Sequence, residues 1–374
     1  MNARVPLAFY EFFAGGGMAR LGLGPAWACA FANDFDPKKA AAYRANFEAE
    51  DLRQGDVWAL SAADLPGRAD LAWASSPCQD LSLAGARAGL DGGRSSAFWG
   101  FWKLVEELGR EGRAPRAVVI ENVTGLLTSR QGADFTALCE ALAREGYRFG
   151  AMEVDAGLWL PQSRPRVFVV ATREPCPMGR PGAFHGRNVM QAFERLPDTL
   201  KAAWVWWGLD APARRNADLG AVLEPDAAVT WLGEAETARL IELMNPVHRA
   251  KVDAALAAGG RQVGALYRRV RVEHGVRAQR AEVRFDGLAG CLRTPAGGSS
   301  RQFIVVVEDG RVRARLLTPR EAARLMGLPD DYRLPAATTA ALKVAGDGVA
   351  VPVVRALAAQ VLEPLLSGVA AEAA

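Results

Sequence analysis

Short apolar runs alternate with longer stretches of helical periodicity from residue 7 to residue 171. Such alternation is typical of a parallel sheet whose strands are joined by crossover helices. Strands are predicted at Leu7–Phe13, Trp27–Ala32, Asp70–Ala74, Ala117–Glu121 and Arg166–Ala171. Helices are predicted at Pro37–Phe47 and Phe135–Glu145. The first half of the chain is therefore predicted to be an α/β domain.

The pattern changes at about Glu174, where prolines begin to interrupt the periodicity. Aromatic residues in this region are interpreted as core residues rather than as stacking platforms: Trp204, Trp206, Trp207 and Tyr267. Helical periodicity returns in segments predicted at Glu234–Met244, Thr318–Met326 and Val351–Leu366. The segment Thr318–Met326 has Thr318 as its N-cap and Pro319 at its first helical position. The change predicts a second domain.

Composition excludes several classes of protein. The 374 residues are 50% hydrophobic and 23% charged, which is typical of a globular chain too long for one small core. No uninterrupted apolar stretch is long enough to cross a bilayer and the N-terminus is not organised as a signal peptide, so a cytoplasmic, nucleoid-associated protein is expected. The five cysteines form no Cys-x-x-Cys pair, so neither a metal site nor a disulfide framework is expected. A net charge of +3 is too small to indicate a nucleic-acid partner by itself.

A glycine-rich turn, Phe13–Gly17, follows the first predicted strand, and such turns let a cofactor approach the backbone. No Gly-Lys-Ser/Thr follows, so a P-loop is excluded, and a plain tight turn stays open. Asp34 ends the second strand, where it is placed to bind a ribose diol or to cap a helix, and Phe35 is placed to stack on adenine. Asp56 in Gly55-Asp56-Val57 is a third carboxylate at a strand end.

Three further motifs carry reactive groups. Pro77-Cys78-Gln79 places a thiol where a parallel strand ends, although a lone cysteine is often an inert, half-buried side chain. Glu121-Asn122-Val123 places a carboxylate at another strand end, either as an ion-pair partner or as an acid. Gln162-Ser163-Arg164-Pro165-Arg166 alternates two arginines, which orient the glutamate and an anion or blunt a strand edge.

In order, spacing and residue type, these motifs and the closing Gly346-Asp347-Gly348-Val349 resemble the DNA cytosine-5 methyltransferases. The resemblance implies an α/β, Rossmann-like, S-adenosylmethionine-dependent methyltransferase domain with an inserted, smaller target-recognition domain. The implied division is a catalytic and cofactor domain at 1–174, a target-recognition domain at 175–302, a hinge at 303–334 and a return to the catalytic domain at 335–374. Helix Val351–Leu366 would then pack beside the first strand.

The resemblance also implies roles for single residues. Cys78 would attack C6 of a flipped-out cytosine, Glu121 would act at N3, and Arg164, alongside Arg166, would act at the O2 carbonyl. The implied cofactor-binding residues are Phe13, Ala14, Gly15, Gly17, Asp34, Phe35, Asp56, Val57, Pro77, Asp347 and Val349. The implied DNA-binding residues are Gln79, Ser82, Arg87, Arg94, Arg268, Arg269 and Arg271. Met18 and Asp347 depart from the family pattern, which has glycine and asparagine there.

Double-stranded DNA is the implied partner, with a restriction endonuclease encoded nearby as a candidate second partner and no membrane involved. A monomer meets the needs of the mechanism. Three alternatives stay open: a tRNA cytosine-5 methyltransferase, an inactive DNA-binding regulator on the same fold, and a nicotinamide dehydrogenase. The long block 175–300 and its arginines favour duplex DNA over tRNA.

Overall fold

The structure is a computed structural model that describes residues 6–47, 50–76, 97–273, 275–293 and 301–367. The chain divides into two compact units. The first unit comprises Met1–Asp155, Pro165–Ala211 and Gly348–Ala374, and the second comprises Ala156–Arg164 and Pro212–Asp347.

A seven-stranded sheet organises the described part of the first unit. Its strands are β1 (Leu7–Phe12), β2 (Trp27–Asp34), β3 (Leu52–Gln54), β4 (Leu71–Ala74), β5 (Ala117–Val123), β6 (Arg148–Asp155) and β7 (Pro165–Thr172). They lie in the order β3-β2-β1-β4-β5-β7-β6, and β1 to β5 run parallel. The predicted α/β class is confirmed, with the difference that β7 is antiparallel to both β5 and β6.

The described helices of this unit before residue 212 are α1 (Met18–Leu23), α2 (Pro37–Asn46), α3 (Ala97–Arg110), α4 (Ala133–Arg144), α5 (Arg187–Arg195) and α6 (Asp198–Lys201). Central strands β4 and β5 are almost wholly buried, which explains why they read as continuous apolar runs rather than as alternating patterns. Phe101 and Trp102 of α3 pack in the same core as Phe12 of β1. The helices thereby cover the sheet and leave the carboxyl ends of the parallel strands to carry loops.

Segment 173–211 belongs to the first unit, whereas the predicted domain boundary lay at residue 175. The reason is hydrogen bonding at the edge strand β6. Phe149 N–H donates to Ala203 O at 3.0 Å, and Val205 N–H donates to Phe149 O at 2.7 Å. The tryptophans Trp204 and Trp207 are buried there, as predicted. Covering an edge strand in this way removes a row of unpaired backbone groups.

The second unit is built on a four-stranded antiparallel sheet of order β11-β10-β8-β9 in its described part. The strands are β8 (Gln262–Glu273), β9 (Val276–Arg284), β10 (Phe303–Glu308) and β11 (Arg311–Leu316). The helices are α7 (Glu234–Glu242), α8 (Pro246–Ala258), α9 (Pro319–Arg324) and α10 (Thr338–Asp347). Residues 303–347, predicted as hinge and return, lie in this unit because β10 pairs with β8.

The cap of α9 agrees with the sequence prediction. The Thr318 hydroxyl accepts from Glu321 N–H, and the Glu321 carboxylate accepts from Thr318 N–H at 2.9 Å. Glu321 is fully buried and is held by two bonds from the buried Arg315, at 2.8 and 2.5 Å. A buried carboxylate needs such a partner.

The chain ends in α11 (Val351–Leu357), a π-helical turn (Ala358–Leu362) and α12 (Glu363–Leu366). These residues pack on α1, where Gly22 lies against Val354, and Trp27 Nε1 donates to the Glu363 carboxylate at 3.0 Å. The C-terminal helices therefore contact α1 and β2. Segment Thr338–Leu366 passes a length and composition test for a membrane span, but 56% of its most apolar window is buried inside the protein, as in a core helix.

Candidate active site

The carboxyl ends of β1, β2, β4 and β5 meet at one edge of the first unit's sheet. Loops at this position are where open α/β sheets bind ligands. We call this the carboxyl edge; in the described residues it comprises Phe13–Gly17, Asn33–Phe35, Ser75–Ser76 and Glu121–Val123.

The glycine turn after β1 uses left-handed backbone conformations. Phe13 and Gly15 have φ of +57°, and Gly17 has φ of +78°. Gly15 has no atom within 4 Å of the place where a Cβ would be, so the space beside it is open. Gly17, in contrast, lies against the Phe47 ring. Glycine is thus needed at 17 for packing and at 15 for its conformation, and the open side at 15 leaves room for a ligand.

Asp34 ties this turn to the second strand. One carboxylate oxygen accepts from Gly15 N–H at 2.7 Å, and the other accepts from Asp36 N–H at 2.8 Å. Burial raises the pKa of the Asp34 carboxyl, and these two N–H donors oppose that effect. Each oxygen keeps lone pairs for further donors such as ribose hydroxyls. Asp36, not Asp34, caps α2, because its side chain accepts from Lys38 N–H at 2.8 Å.

The other residues predicted to bind the cofactor differ in how far their side chains are exposed to solvent. Phe35 is 74% exposed, which is unusual for a large aromatic ring at a strand end. Asp56 is exposed and caps the turn Val57–Ala59 by accepting from Trp58 N–H at 3.0 Å, while Val57 is buried. Asn33, which the sequence analysis did not single out, donates to Arg53 O and Gly55 O and so fixes the position of the Asp56 loop.

Glu121 and Arg166 form an ion pair at the end of β5. Glu121 is buried, and Arg166 Nε lies 3.2 Å from its Oε1. Arg166 is directly across from Val123 in the β5–β7 ladder, so its side chain shares a face with Glu121. The next residue, Asn122, donates from Nδ2 to Ser76 O at 3.1 Å. Chain segments at the ends of β4 and β5 are thereby joined two residues before Cys78, which itself lies outside the described residues.

Gln162 and Arg164 have contacts of a different kind. Both are buried in the second unit. The Gln162 side chain donates to Leu325 O at 2.7 Å and accepts from Leu292 N–H at 3.0 Å. The Arg164 guanidinium donates to Leu292 O at 3.2 Å and to Gly346 O at 2.9 Å. The residues of the alternating motif therefore have different partners. Gln162 and Arg164 donate to backbone carbonyls, and Arg166 pairs with Glu121.

The structure describes both residues that depart from the family pattern, Met18 and Asp347. Met18 is buried, and its sulfur lies so close to Gly348 that any Cβ at 348 would overlap it. Asp347 is exposed at the end of α10, and Val349 is buried. Met18 thus packs inside the first unit.

Sequence reasoning missed a buried polar residue beneath the glycine turn. Glu11, on β1, accepts from Arg20 N–H at 3.3 Å, and its second oxygen has no hydrogen-bond partner among the described residues. Burial raises the pKa of Glu11 to about 8. Its signal in the sequence is a single acidic residue inside an otherwise apolar strand.

The predicted DNA contacts are only partly described. Gln79, Ser82, Arg87 and Arg94 lie outside the described residues, as does Pro77, which was predicted to bind the cofactor. Arg269 and Arg271 are exposed on the second unit's β8 and both pair with Glu282 of β9, Arg271 Nε at 2.6 Å. Arg268 lies over the Phe303 ring at 5.4 Å.

The sheet, the glycine turn and the strand-end carboxylates fit one class of protein, the Rossmann-like, S-adenosylmethionine-dependent methyltransferases. A family model described as C-5 cytosine-specific DNA methylase matches residues 7–363, and the chain belongs to that family. The family is that of the DNA cytosine-5 methyltransferases, with S-adenosylmethionine as methyl donor, as the sequence predicted.

Two named relatives and one solved structure are similar to this chain over most of its length. The Type II methyltransferase M.BsuFI of Bacillus subtilis is 26% identical over 98% of this chain and 75% of its own length. The Type II methyltransferase M.HpaII of Haemophilus parainfluenzae is 25% identical over 97% of this chain and 91% of its own. The crystal structure of S. pombe Dnmt2 methyltransferase has a TM-score of 0.60 at 17% identity, covering 96% of this chain and 99% of that one, which supports the fold.

Proposed function

We propose that this chain transfers a methyl group from S-adenosylmethionine to C5 of a cytosine rotated out of double-stranded DNA, through a covalent bond between Cys78 Sγ and C6. The observation that carries the proposal is the buried Glu121–Arg166 pair, joined through Asn122 to the strand end that leads to Cys78. A target base inside a duplex is inaccessible, so rotation out of the stack is part of the proposal.

The carboxyl edge fits the cofactor. The open space beside Gly15, the exposed Phe35 ring and the spare lone pairs of Asp34 are suited to a methionine chain, an adenine and a ribose respectively. When bound, the cofactor supplies an electrophilic methyl group on a sulfonium. The chain's own residues then have to make C5 nucleophilic.

Cys78 begins this activation, because its thiolate adds to C6 and converts the ring into an enamine. Glu121 acts at N3, where a proton or hydrogen bond draws electrons away from C5. Loss of the C5 proton and elimination of Cys78 restore the aromatic ring and the free thiol.

Arg166 is our candidate for the arginine that holds Glu121 and polarises the O2 carbonyl. The sequence analysis gave the O2 role to Arg164, with Arg166 beside it. The contacts favour Arg166, since it pairs with Glu121 and the Arg164 guanidinium is engaged with two backbone carbonyls. Arg164 is then a positioning residue for Leu292 and Gly346.

The test is mass spectrometry of nucleosides from a methylation-deficient bacterial host that expresses the chain, with Cys78→Ala as the control. We expect 5-methylcytosine in DNA only with the intact cysteine. Methylated tRNA with unmodified DNA would favour the tRNA enzyme instead, and unmodified DNA and tRNA together with preserved DNA binding would favour the inactive regulator.

Both named relatives are Type II methyltransferases, so we extend the proposal to a restriction–modification role with a cognate endonuclease. Bisulfite sequencing of host DNA gives the target sequence. Plasmid from the same cells should then resist endonucleases that cut at that sequence, and cleavage of fully methylated plasmid would contradict the protective role.

A further inference from the structure

Among the residues that the structure describes, part of the second unit's sheet extends beyond its neighbours as two strands alone. β10 pairs with β8 only as far as Leu266, whereas β8 and β9 continue to pair to Glu273 and Val276. Residues 268–280, which we call the ribbon, therefore extend about 20 Å past the three-stranded region at roughly 3.4 Å per residue. Two-stranded hairpins are marginal in water without a partner surface.

The ribbon exposes apolar side chains where solvent-facing strands normally carry polar ones. Val270, Val272 and Val276 are 61%, 69% and 67% exposed. They are three of the seven exposed large hydrophobic residues in the described part of the chain. Isolated exposed apolar residues are ordinary, but a concentration on one projecting element indicates a contact surface.

The two faces of the ribbon differ. Directly paired residues share a face, so Val270 with Gln279 and Val272 with Arg277 form one face. This first face continues the core side of the sheet, since Leu266 of the same strand and Phe303 lie in the core cluster. Four side chains with apolar methyls, an amide and a guanidinium thus project together beyond the core.

The second face is chemically distinct. It carries Arg269 and Arg271, whose guanidinium groups both pair with Glu282, and Val276 near the tip. Its arginines are partly neutralised within the unit. The first face therefore carries valine, glutamine and arginine side chains, whereas the second carries arginines that pair with Glu282.

The excess of positive charge on the ribbon indicates a negatively charged partner. Residues 268–280 contain five arginines and one glutamate, Glu273. The B-DNA major groove, about 12 Å wide, admits a two-stranded β-ribbon. Within that groove arginine recognises guanine O6 and N7, glutamine recognises adenine, and apolar side chains contact the thymine methyl. The first face carries one residue type for each of these contacts.

We propose that the ribbon enters the major groove of the substrate duplex and that Val270, Val272, Arg277 and Gln279 contact base edges there, making them determinants of the target sequence. The proposal rests on the proposed function in taking duplex DNA as the substrate. It gives the second-face arginines, Arg269 and Arg271, contacts with phosphate rather than with bases.

The test uses purified full-length protein with S-adenosylhomocysteine and a duplex containing the target sequence found by bisulfite sequencing. Every such target contains guanine, because the cytosine is paired. Replacing guanine by 7-deazaguanine removes the N7 acceptor in the major groove. We expect this replacement to weaken binding by the parent protein about five- to 150-fold. Arg277→Gln should bind the normal duplex less tightly and should lose most of that sensitivity.

Matched variants on the second face are the controls. Arg269→Gln should weaken binding and its dependence on salt while keeping full sensitivity to 7-deazaguanine. Val270→Thr with Val272→Thr should change the spectrum of methylated sequences, whereas Val276→Thr should leave it unchanged. Valine and threonine have nearly the same shape and both suit strands, so a shared loss of folding is not expected.

The proposal is overturned if the parent is insensitive to 7-deazaguanine, or if Arg277→Gln keeps the full sensitivity. It is also overturned if variants of both faces change the methylated sequences alike. These results are independent of failure of the proposed function, which would appear as absence of 5-methylcytosine with the parent protein.

Discussion

The carboxyl edge of the first unit and the ribbon of the second unit hold their polar groups in opposite ways. At the carboxyl edge, Asp34, Asn33 and Asn122 are each fixed by bonds to backbone groups. On the ribbon, one antiparallel ladder is the main support among the described residues, and apolar side chains are exposed. A preorganised site suits one chemical reaction, whereas an exposed ribbon suits a long and variable partner.

The largest effect that would sharpen this comparison is expected at Glu121. Glu121→Gln keeps the size of the side chain but removes its proton-transfer ability, so we expect turnover to fall by roughly 10²–10⁴-fold. Affinity for S-adenosylhomocysteine should stay within a few-fold. Single-turnover kinetics with isotope-labelled cofactor gives the rate. A Glu121→Gln enzyme with full turnover would remove the residue from the mechanism.

The two arginines of one motif should separate activity from stability. Arg166→Met should lower turnover by about 10²-fold, the size expected when one preorganised donor is removed. Arg164→Met should instead lower stability, by about 1–3 kcal/mol for each backbone carbonyl left without its donor. Urea unfolding and turnover measured on both variants test this. Equal effects of the two substitutions on both quantities would contradict the division of roles.

The elements of the first unit were predictable because buried strands and helices leave a pattern of apolar residues in the sequence. Strands β1 and β5 lie at the predicted positions, and in the second unit Thr318 caps α9 as expected. The domain boundaries were harder. Pairing of Val205 with Phe149 is a contact distant in sequence, and local composition carries no trace of it.

The site was predictable by residue type but not by contact. Alternating arginines at 164 and 166 read alike in the sequence, and only the structure distinguishes a donor to carbonyls from a partner of Glu121. The ribbon was visible as an arginine-dense stretch. Its two faces depend on strand register, which fixes that Val272 lies across from Arg277.

A smaller effect is expected where Met18 meets Gly348. Gly348→Ala should destabilise the protein by about 1–3 kcal/mol, because the added methyl overlaps the Met18 sulfur. Combining it with Met18→Ala should recover part of that loss, which a double-mutant cycle of urea unfolding measures. Gly208→Ala is the control, since no atom lies within 4 Å of its added Cβ. Strictly additive effects of the two substitutions would show that the residues do not share that space.

The last effect concerns pH, and it tests how far the buried strand beneath the carboxyl edge excludes charge. Burial raises the pKa of Glu11 to about 8 from its usual 4.5, so between these values the folded protein holds a proton that the unfolded chain releases. Stability from this group is therefore full below about pH 4.5 and is lost as pH rises through 8. The charges that face Glu11 are Arg20, Asp51 and Asp34, and the two carboxylates oppose its ionisation.

Glu11→Gln removes this titration and keeps an oxygen for Arg20 N–H. We expect the variant's free energy of unfolding to rise relative to that of the parent as the buffer is changed from pH 5 to pH 8.5, by an amount on the order of 1 kcal/mol or more, as measured by urea unfolding at each pH. A constant difference across that range would mean that Glu11 ionises normally. The surroundings of Glu11 would then stabilise its charged form as well as water does, and the contrast between the two regions would not extend to this residue.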